Sequence, residues 1–170
     1  HLWYRRQRQM CIRDRLISES FEYVYEFIKK DIHLASISGG TDIVSCFVGG
    51  NPMLPVYSGE IQSKCLGVDV DVFDEKGQGS LQKGELVCKS PLPSMPIGFW
   101  DDLNKEKYIK SYFSKFKNVW TQGDYAKISQ NNGLVIYGRS DSTLNPGGIR
   151  IGTAEIYRSV EQIDEIVESI

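Results

Sequence analysis

Valine and aspartate alternate in the middle of the chain, where Val68, Val70 and Val72 are separated by Asp69 and Asp71. A two-residue alternation places the valines on one face of a strand and the aspartates on the other. The surrounding stretch, GEIQSKCLGVDVDVFDEKGQGSLQKGELVCKS, is interrupted by glycines that permit tight turns. The middle third of the chain is therefore predicted to form short antiparallel strands in a sandwich or barrel.

Helices and further strands are predicted on either side of this region. SESFEYVYEFIKK, which begins at Ser18, has one apolar helical face and a serine suited to cap its start. Residues 32–37 predict a short buried strand that ends in an SGGTD turn. DDLNKEKYIKSYFSKF predicts a second amphipathic helix, and VWTQGDYAKIS with GLVIYGRSD predicts a hairpin. The fold class is thus α/β with a β-barrel-like part.

A domain boundary is predicted near Asp141. The strand pattern ends there, and TAEIYRSVEQIDEIVESI resumes as a helix with an apolar face that reaches the last residue. The sequence is therefore expected to be a cut piece that holds the end of one domain and the start of another.

Composition is that of an ordinary soluble chain. With 41% apolar and 25% charged residues, 170 residues suffice for one packed domain or for pieces of two. No run of about 18 apolar residues and no signal peptide occur. We therefore expect no membrane span and a cytoplasmic location. The four cysteines form no close pair and are expected to be reduced and buried. His33 is expected to pack rather than to act as a base.

The first fifteen residues, HLWYRRQRQMCIRDR, differ in composition from the rest. They hold five of the eight arginines and no lysine. Their net charge of +4 leaves −6 on the other residues, which is too acidic for a nucleic-acid-binding surface. A basic arm that binds phosphates is one interpretation of residues 1–15. Their lack of periodicity favours the other, a non-native or disordered tail.

The SGGTD segment has the chemistry of a phosphate site. Backbone N–H groups at Gly39 and Gly40 and the Thr41 hydroxyl can donate to phosphate oxygens, and the Asp42 carboxylate suits Mg²⁺. A tight turn in which Asp42 bonds its own backbone explains the same residues. Both interpretations stay open on this segment alone.

Two later segments carry further candidate nucleotide contacts. In TQGDY, Asp124 can accept both hydroxyls of a ribose, with a hairpin-turn aspartate as the alternative. GRSDSTLNPGGIRIG, residues 138–152, combines glycines that let a ligand approach the backbone with arginines that suit phosphate or ribose oxygens. This segment predicts a nucleotide site or a hinge. A weak surface pair of Arg139 and Asp141 is the alternative.

The order of these motifs resembles the adenylate-forming superfamily of acyl-CoA synthetases, luciferases and peptide-synthetase adenylation domains. The resemblance covers about residues 18–170 and is closest to members that activate acetoacetate, through SISGGTDIVSCFVGGNP, YSGEIQ, GELVCKSPLPSMPIGFW, VWTQGDYA and YGRSDSTLNPGGIRIGTAEIY. It implies that residues 16–140 end the large AMP-binding domain, including a β-barrel-like subdomain, and that residues 141–170 form the hinge and the start of a small α+β domain. The implied enzyme is a ligase that uses ATP, Mg²⁺ and coenzyme A.

The resemblance also implies roles for single residues. Arg139 joins Asp124 at the ribose, and Asp141 is the hinge about which the small domain rotates. Gly148 lies beside the pantetheine channel, and Arg150 approaches the phosphate.

At the SGGTD segment, Thr41 and Asp42 match positions that contact phosphate and magnesium, with aspartate where glutamate is common. Gly39 stands where acetate-activating relatives place tryptophan, so its small size is expected to leave room for a four-carbon oxo-acid.

The expected phosphate loop and catalytic lysine lie outside these residues, so the piece alone is expected to be inactive. A general short-chain acyl-CoA or acetyl-CoA synthetase and a non-catalytic nucleotide-binding module are the alternatives.

Overall fold

A computed structural model describes residues 16–140 and, beyond them, positions 156, 159, 160 and 163. The described part begins with helix α1, Ser18–Tyr23, which continues as a π-helical turn, Val24–Ile28. Its strands fall into two antiparallel sheets. No helix in this part of the chain has the length and apolar character that crossing a membrane requires.

The first sheet has three strands in the order β1, β2, β3. These are Ser38–Gly40, Ser45–Gly49 and Ser63–Lys64, and a 3₁₀ turn, Thr41–Ile43, connects β1 to β2. The turn is held on its inner side by Ile43, which is fully buried. Burial of this apolar side chain fixes where the two residues before it lie.

The second sheet has four strands in sequence order. These are β4, Val70–Phe73; β5, Gly84–Cys88; β6, Trp120–Ile128; and β7, Leu134–Arg139. Helix α2, Glu106–Tyr112, lies between β5 and β6 in the chain and contacts β6. The hairpin predicted for the last two strands is confirmed.

The alternation of valine and aspartate produces the expected sidedness. Val70 and Val72 are fully buried, and Asp71 is half-buried on the other face of β4. The barrel expectation needs a correction, because the strands of residues 16–140 form two open sheets and no closed barrel. Strands β1–β3 pair only with one another, as do β4–β7. The periodicity of a single strand carries no information about closure.

Backbone hydrogen bonds join the segment just before β3 to the start of β7. Ile61 N–H donates to the Leu134 carbonyl, and Leu134 N–H donates back to Ile61, both at 2.8 Å. Apolar side chains from both sheets then form one buried cluster: Ile43, Phe47, Val48, Ile61, Val70, Val72, Leu86, Cys88, Tyr112, Trp120, Ala126, Leu134 and Ile136. Residues of the first sheet are therefore held against the second.

The structure corrects three sequence predictions outside this core. Residues 32–37 form no strand, and Ile32 and Ile37 are exposed. In the first helix only Phe21 is buried, while Ile28 at its end is exposed. The described cysteines are free as predicted, but only Cys88 is buried; Cys46 and Cys65 are half-buried.

Candidate functional site

Asp124 and Arg139 face each other across β6 and β7. Arg139 Nη1 donates to Asp124 Oδ1 at 3.3 Å and to the Gln122 carbonyl at 2.9 Å. Asp124 is only 4% exposed, whereas about a third of the Arg139 side chain remains accessible. Asp124 lies within β6 and is nearly buried, so it is not the hairpin-turn aspartate that the sequence left as an alternative. The pair instead places an acceptor and a donor side by side at the end of the hairpin.

Gly123 makes this arrangement sterically possible. Its φ of +88° lies in a region that L side chains rarely adopt, and β6 changes register between Asp124 and Ala126. A Cβ at Gly123 would stand 2.5 Å from Arg139 Nη2. The positive φ therefore favours glycine at this position of TQGDY, and the guanidinium of Arg139 lies directly beside it.

Thr41 and Asp42 lie on the 3₁₀ turn that follows β1, and both are exposed. Val44, with φ of +48°, then returns the chain into β2. The sequence predicted a glycine turn after a strand, whereas Gly39 and Gly40 are themselves in β1. The turn begins at Thr41, directly after β1, so the Thr41 and Asp42 side chains project from the end of the first sheet.

Gln122 and Tyr112 connect the turn to the hairpin. A Cβ at Gly40 would lie 2.5 Å from Gln122 Nε2, so β1 passes directly beside this side chain. Gln122 Oε1 accepts a hydrogen bond from Trp120 Nε1 at 2.9 Å, and the Trp120 ring stacks on Tyr112 at 3.7 Å. Burial raises the pKa of the Tyr112 hydroxyl, and a hydrogen bond to Asp42 raises it further. Tyr112, Trp120 and Gln122 therefore form a continuous chain of contacts from Asp42 to Arg139.

Gly39 packs against the backbone of β2. A Cβ there would lie 2.2 Å from the Ser45 carbonyl oxygen and 2.6 Å from Cys46 Cα. Contacts this close with the backbone are not relieved by rotating a side chain. The expected role of Gly39 in acyl-chain selection stays a prediction, and the approach of β1 to β2 is a separate reason for glycine at this position.

The structure thus brings together six of the residues singled out in the sequence: Gly39, Gly40, Thr41, Asp42, Asp124 and Arg139. The predicted hinge Asp141 and the predicted contacts Gly148 and Arg150 lie outside the described residues. Sequence reasoning missed Gln122 and included Tyr112 only as part of the second predicted helix. Gln122 was detectable in principle, because it stands two residues before Asp124 on the same strand.

Asp42 is the candidate magnesium ligand of the described residues. Among them, no cluster of three or more His, Cys, Asp or Glu side chains has a metal-binding arrangement. Magnesium in phosphate sites commonly takes only one or two protein carboxylates and completes its shell with phosphate oxygens and water. The exposed Asp42 carboxylate, beside the Thr41 hydroxyl, fits that donor set.

Curated proteins similar to this chain are acetoacetyl-CoA synthetases. The chain is 58% identical over 156 residues to the acetoacetyl-coenzyme A synthetase of Rhizobium meliloti, which covers 91% of this chain and 24% of the relative. It is 52% identical over 157 residues to the mouse acetoacetyl-CoA synthetase, with 91% and 23% covered. The chain therefore spans about a quarter of the length of these relatives. No family model matches it.

Solved structures support the same fold. Acetoacetyl-CoA synthetase from Streptomyces lividans superposes with a TM-score of 0.79 at 44% identity, over 89% of this chain and 24% of that one. The anthranilate CoA ligase AuaEII, solved with anthranoyl-AMP, gives a TM-score of 0.71 at 18% identity, over 91% of this chain and 28% of that one. The second likeness concerns the fold alone. The described sheets and helices share the fold of the matching segments of these two ligases, which confirms the predicted fold class.

Proposed function

We propose that this chain is a segment of an ATP-dependent acetoacetate–CoA ligase and supplies part of its nucleotide site. The observation that carries the proposal is the Asp124–Arg139 pair at the end of the β6–β7 hairpin, with the Thr41–Asp42 turn held beside it through Gln122 and Tyr112. Identity of 51–58% to acetoacetyl-CoA synthetases over about nine-tenths of the chain supports the choice of ligase.

The ribose of ATP is proposed to bind at the hairpin. The Asp124 carboxylate accepts hydrogen bonds from ribose hydroxyls, and the fixed fork of Arg139 donates to ribose oxygens. Arg139 is already oriented by the Gln122 carbonyl and by Asp124, so little side-chain freedom is lost on binding. Together, Asp124 and Arg139 bind a sugar that has free hydroxyls.

The phosphates are proposed to lie toward the Thr41–Asp42 turn. The Thr41 hydroxyl donates to a phosphate oxygen, and Asp42 holds Mg²⁺, which neutralises phosphate charge when it is bound. Tyr112 keeps its proton because its pKa is raised, so its hydroxyl donates to Asp42 and restrains the carboxylate. Outside the described residues, Arg150 is proposed to contact phosphate, and Gly148 is proposed to contact the pantetheine of coenzyme A.

The reaction needs little acid–base chemistry from the protein. An oxygen of the acetoacetate carboxylate attacks the α-phosphorus of ATP, the bond to the bridging oxygen breaks, and pyrophosphate leaves. The coenzyme A sulfur, after losing its proton, then attacks the acyl carbon and AMP leaves. Because both nucleophiles come from substrates, the protein accelerates the reaction by positioning and by stabilising phosphate charge. The two half-reactions are proposed to alternate through rotation of the small domain at Asp141.

The ligase is also proposed to be cytoplasmic.

The test is acetoacetate-dependent exchange of labelled pyrophosphate into ATP by the full-length ligase that contains this chain. We expect exchange with acetoacetate to exceed exchange with acetate, and Asp124→Ala to reduce it. Exchange driven better by acetate would support a general short-chain acyl-CoA synthetase instead. Binding of ATP without exchange for either acid would support a non-catalytic nucleotide-binding module.

A further inference from the structure

Glu85 is a buried carboxylate that the proposed chemistry does not use. It lies in β5 opposite Tyr125 of β6, and its side chain is only 2% exposed. Removing a carboxylate from water is costly unless charge partners and hydrogen bonds replace the lost hydration. A glutamate at this position therefore has to be explained by its partners.

The two oxygens of Glu85 bind different elements. Oε2 forms an ion pair with Lys115 Nζ, and Oε1 accepts a hydrogen bond from the Ser140 hydroxyl at 2.8 Å. Lys115 follows helix α2, and Ser140 directly follows β7. The Glu85 carboxylate on β5 thus connects the end of β7 to the segment that follows α2 in sequence, although β6 lies between β5 and β7.

Ser140 is the neighbour in sequence of Arg139. Its backbone N–H donates to the Gly123 carbonyl at 2.7 Å, so Ser140 is held by its backbone on β6 and by its side chain on Glu85. Arg139 is bound on the same stretch of β6 through Gln122 and Asp124. Any rotation of the Ser140 backbone would move the Arg139 guanidinium relative to Asp124.

We propose that Glu85 is a positioning residue that acts through Ser140 to fix Arg139 at the ribose-binding carboxylate of Asp124. This inference rests on the function proposed above. A purely structural ion pair with Lys115 would need only one carboxylate oxygen and would not involve Ser140, the residue directly after β7. The division of the two oxygens between Lys115 and Ser140 favours positioning.

The test compares nucleotides that differ only in the ribose. The specificity constants kcat/KM of the full-length ligase for ATP, 2′-deoxy-ATP and 3′-deoxy-ATP are measured in adenylate formation. Ser140→Ala removes the hydroxyl that binds Glu85, whereas Ser140→Thr retains a hydroxyl. Ser129→Ala is the matched control, because the Ser129 hydroxyl donates to Glu60 at 2.7 Å at the other end of the same hairpin.

We expect Ser140→Ala to reduce the preference for ATP over the deoxynucleotides about tenfold, the lower end of the effect of a lost hydrogen bond to a charged group. Ser140→Thr should restore the preference, and Ser129→Ala should leave it unchanged. Glu85→Ala should reproduce the effect of Ser140→Ala, and adding it to Ser140→Ala should change the preference little further. Should Glu85→Ala fail to fold, the serine variants still decide the question.

An unchanged preference in Ser140→Ala, or an equal decrease in Ser129→Ala, would overturn the positioning role. An enzyme that forms adenylate but does not distinguish the three nucleotides would overturn it as well and leave the ligase function standing. An enzyme that forms no adenylate would overturn the proposed function and this inference with it.

Discussion

The Arg139 guanidinium contacts its neighbours through its shape as well as its charge. A single nitrogen, Nη1, contacts both the Gln122 carbonyl and Asp124 Oδ1, and the other end of the planar group approaches Gly123. A lysine ammonium carries the same charge but lacks the planar fork. The geometry therefore depends on shape as much as on charge.

Arg139→Lys in the full-length ligase is accordingly expected to reduce kcat/KM for ATP about tenfold or more, with a smaller effect on KM for acetoacetate. Steady-state kinetics with each substrate varied in turn checks this. Unchanged ATP kinetics would show that Arg139 contributes charge alone.

Gly123 permits a test of steric fit. Gly123→Ala combines an unfavourable backbone conformation with a Cβ placed against Arg139, whereas Gly67→Ala has a similar φ, +75°, and no atom within 4 Å of its Cβ. Left-handed backbone costs an alanine about 1–2 kcal/mol. We expect Gly67→Ala to lose about that much unfolding free energy and Gly123→Ala to lose more. Urea denaturation of the 170-residue chain measures both, and equal losses would refute the role given to the Arg139 contact.

At the scale of elements, α2 and β6 form the aromatic support of the site. Tyr112 and Trp120 stack at an interplanar angle of 12°, and Phe113 and Tyr108 meet the Trp120 ring edge-on. Offset and edge-to-face aromatic pairs contribute about 0.5–1.5 kcal/mol each beyond burial. The support holds Tyr112 beside Asp42 and Trp120 beside Gln122.

The raised pKa of Tyr112 gives this support a pH dependence. Burial, and then the hydrogen bond to Asp42, raises the pKa above its ordinary value of 10.0, so the folded chain holds this proton more tightly than the unfolded chain does. The resulting stabilisation is complete below the unfolded pKa and is lost as the pH rises above it. When the pH is raised from about 9 to about 11, the free energy of unfolding should therefore fall less in the Tyr112→Phe variant than in the unmodified chain. Urea unfolding at both pH values checks this, and parallel losses in the two proteins would contradict it.

Elements with a local signal were predictable, and contacts between distant elements were not. The alternation of valine and aspartate correctly indicated β4, and the Asn131–Gly133 turn indicated the β6–β7 hairpin. The residues 32–37 were misassigned because an apolar run of that length also fits exposed, irregular backbone. Nothing local to Gly40 or Gln122 indicates that they touch, and the Lys115–Glu85–Ser140 arrangement likewise requires the folded sheet.

On the scale of the whole molecule, the described residues match a small part of longer relatives. The chain spans about a quarter of the acetoacetyl-CoA synthetases it matches. The Asp124–Arg139 pair and one candidate magnesium ligand lie within the described residues, whereas the phosphate loop and the catalytic lysine implied by the resemblance were expected outside the sequence.

The 170-residue chain is therefore expected to release no pyrophosphate from ATP in the presence of acetoacetate, while the full-length ligase does. Missing phosphate contacts leave the charge that develops in the transition state without stabilisation. A coupled pyrophosphate assay on both proteins at equal concentration decides this. Acetoacetate-dependent release by the shorter chain would show that residues 1–170 contain a complete active site.

The hydrogen bonds between Ile61 and Leu134 have a kinetic consequence. They connect regions far apart in sequence, and the nearby Glu60–Ser129 contact spans 69 residues. The β6–β7 hairpin closes only a short loop and so forms on the microsecond scale of local structure, whereas docking β1–β3 onto it closes a much longer loop at a higher entropic cost. Folding is thus expected to begin at β6 and β7, the strands that carry Asp124 and Arg139, and the turn that bears Thr41 and Asp42 joins them only in the later, slower step.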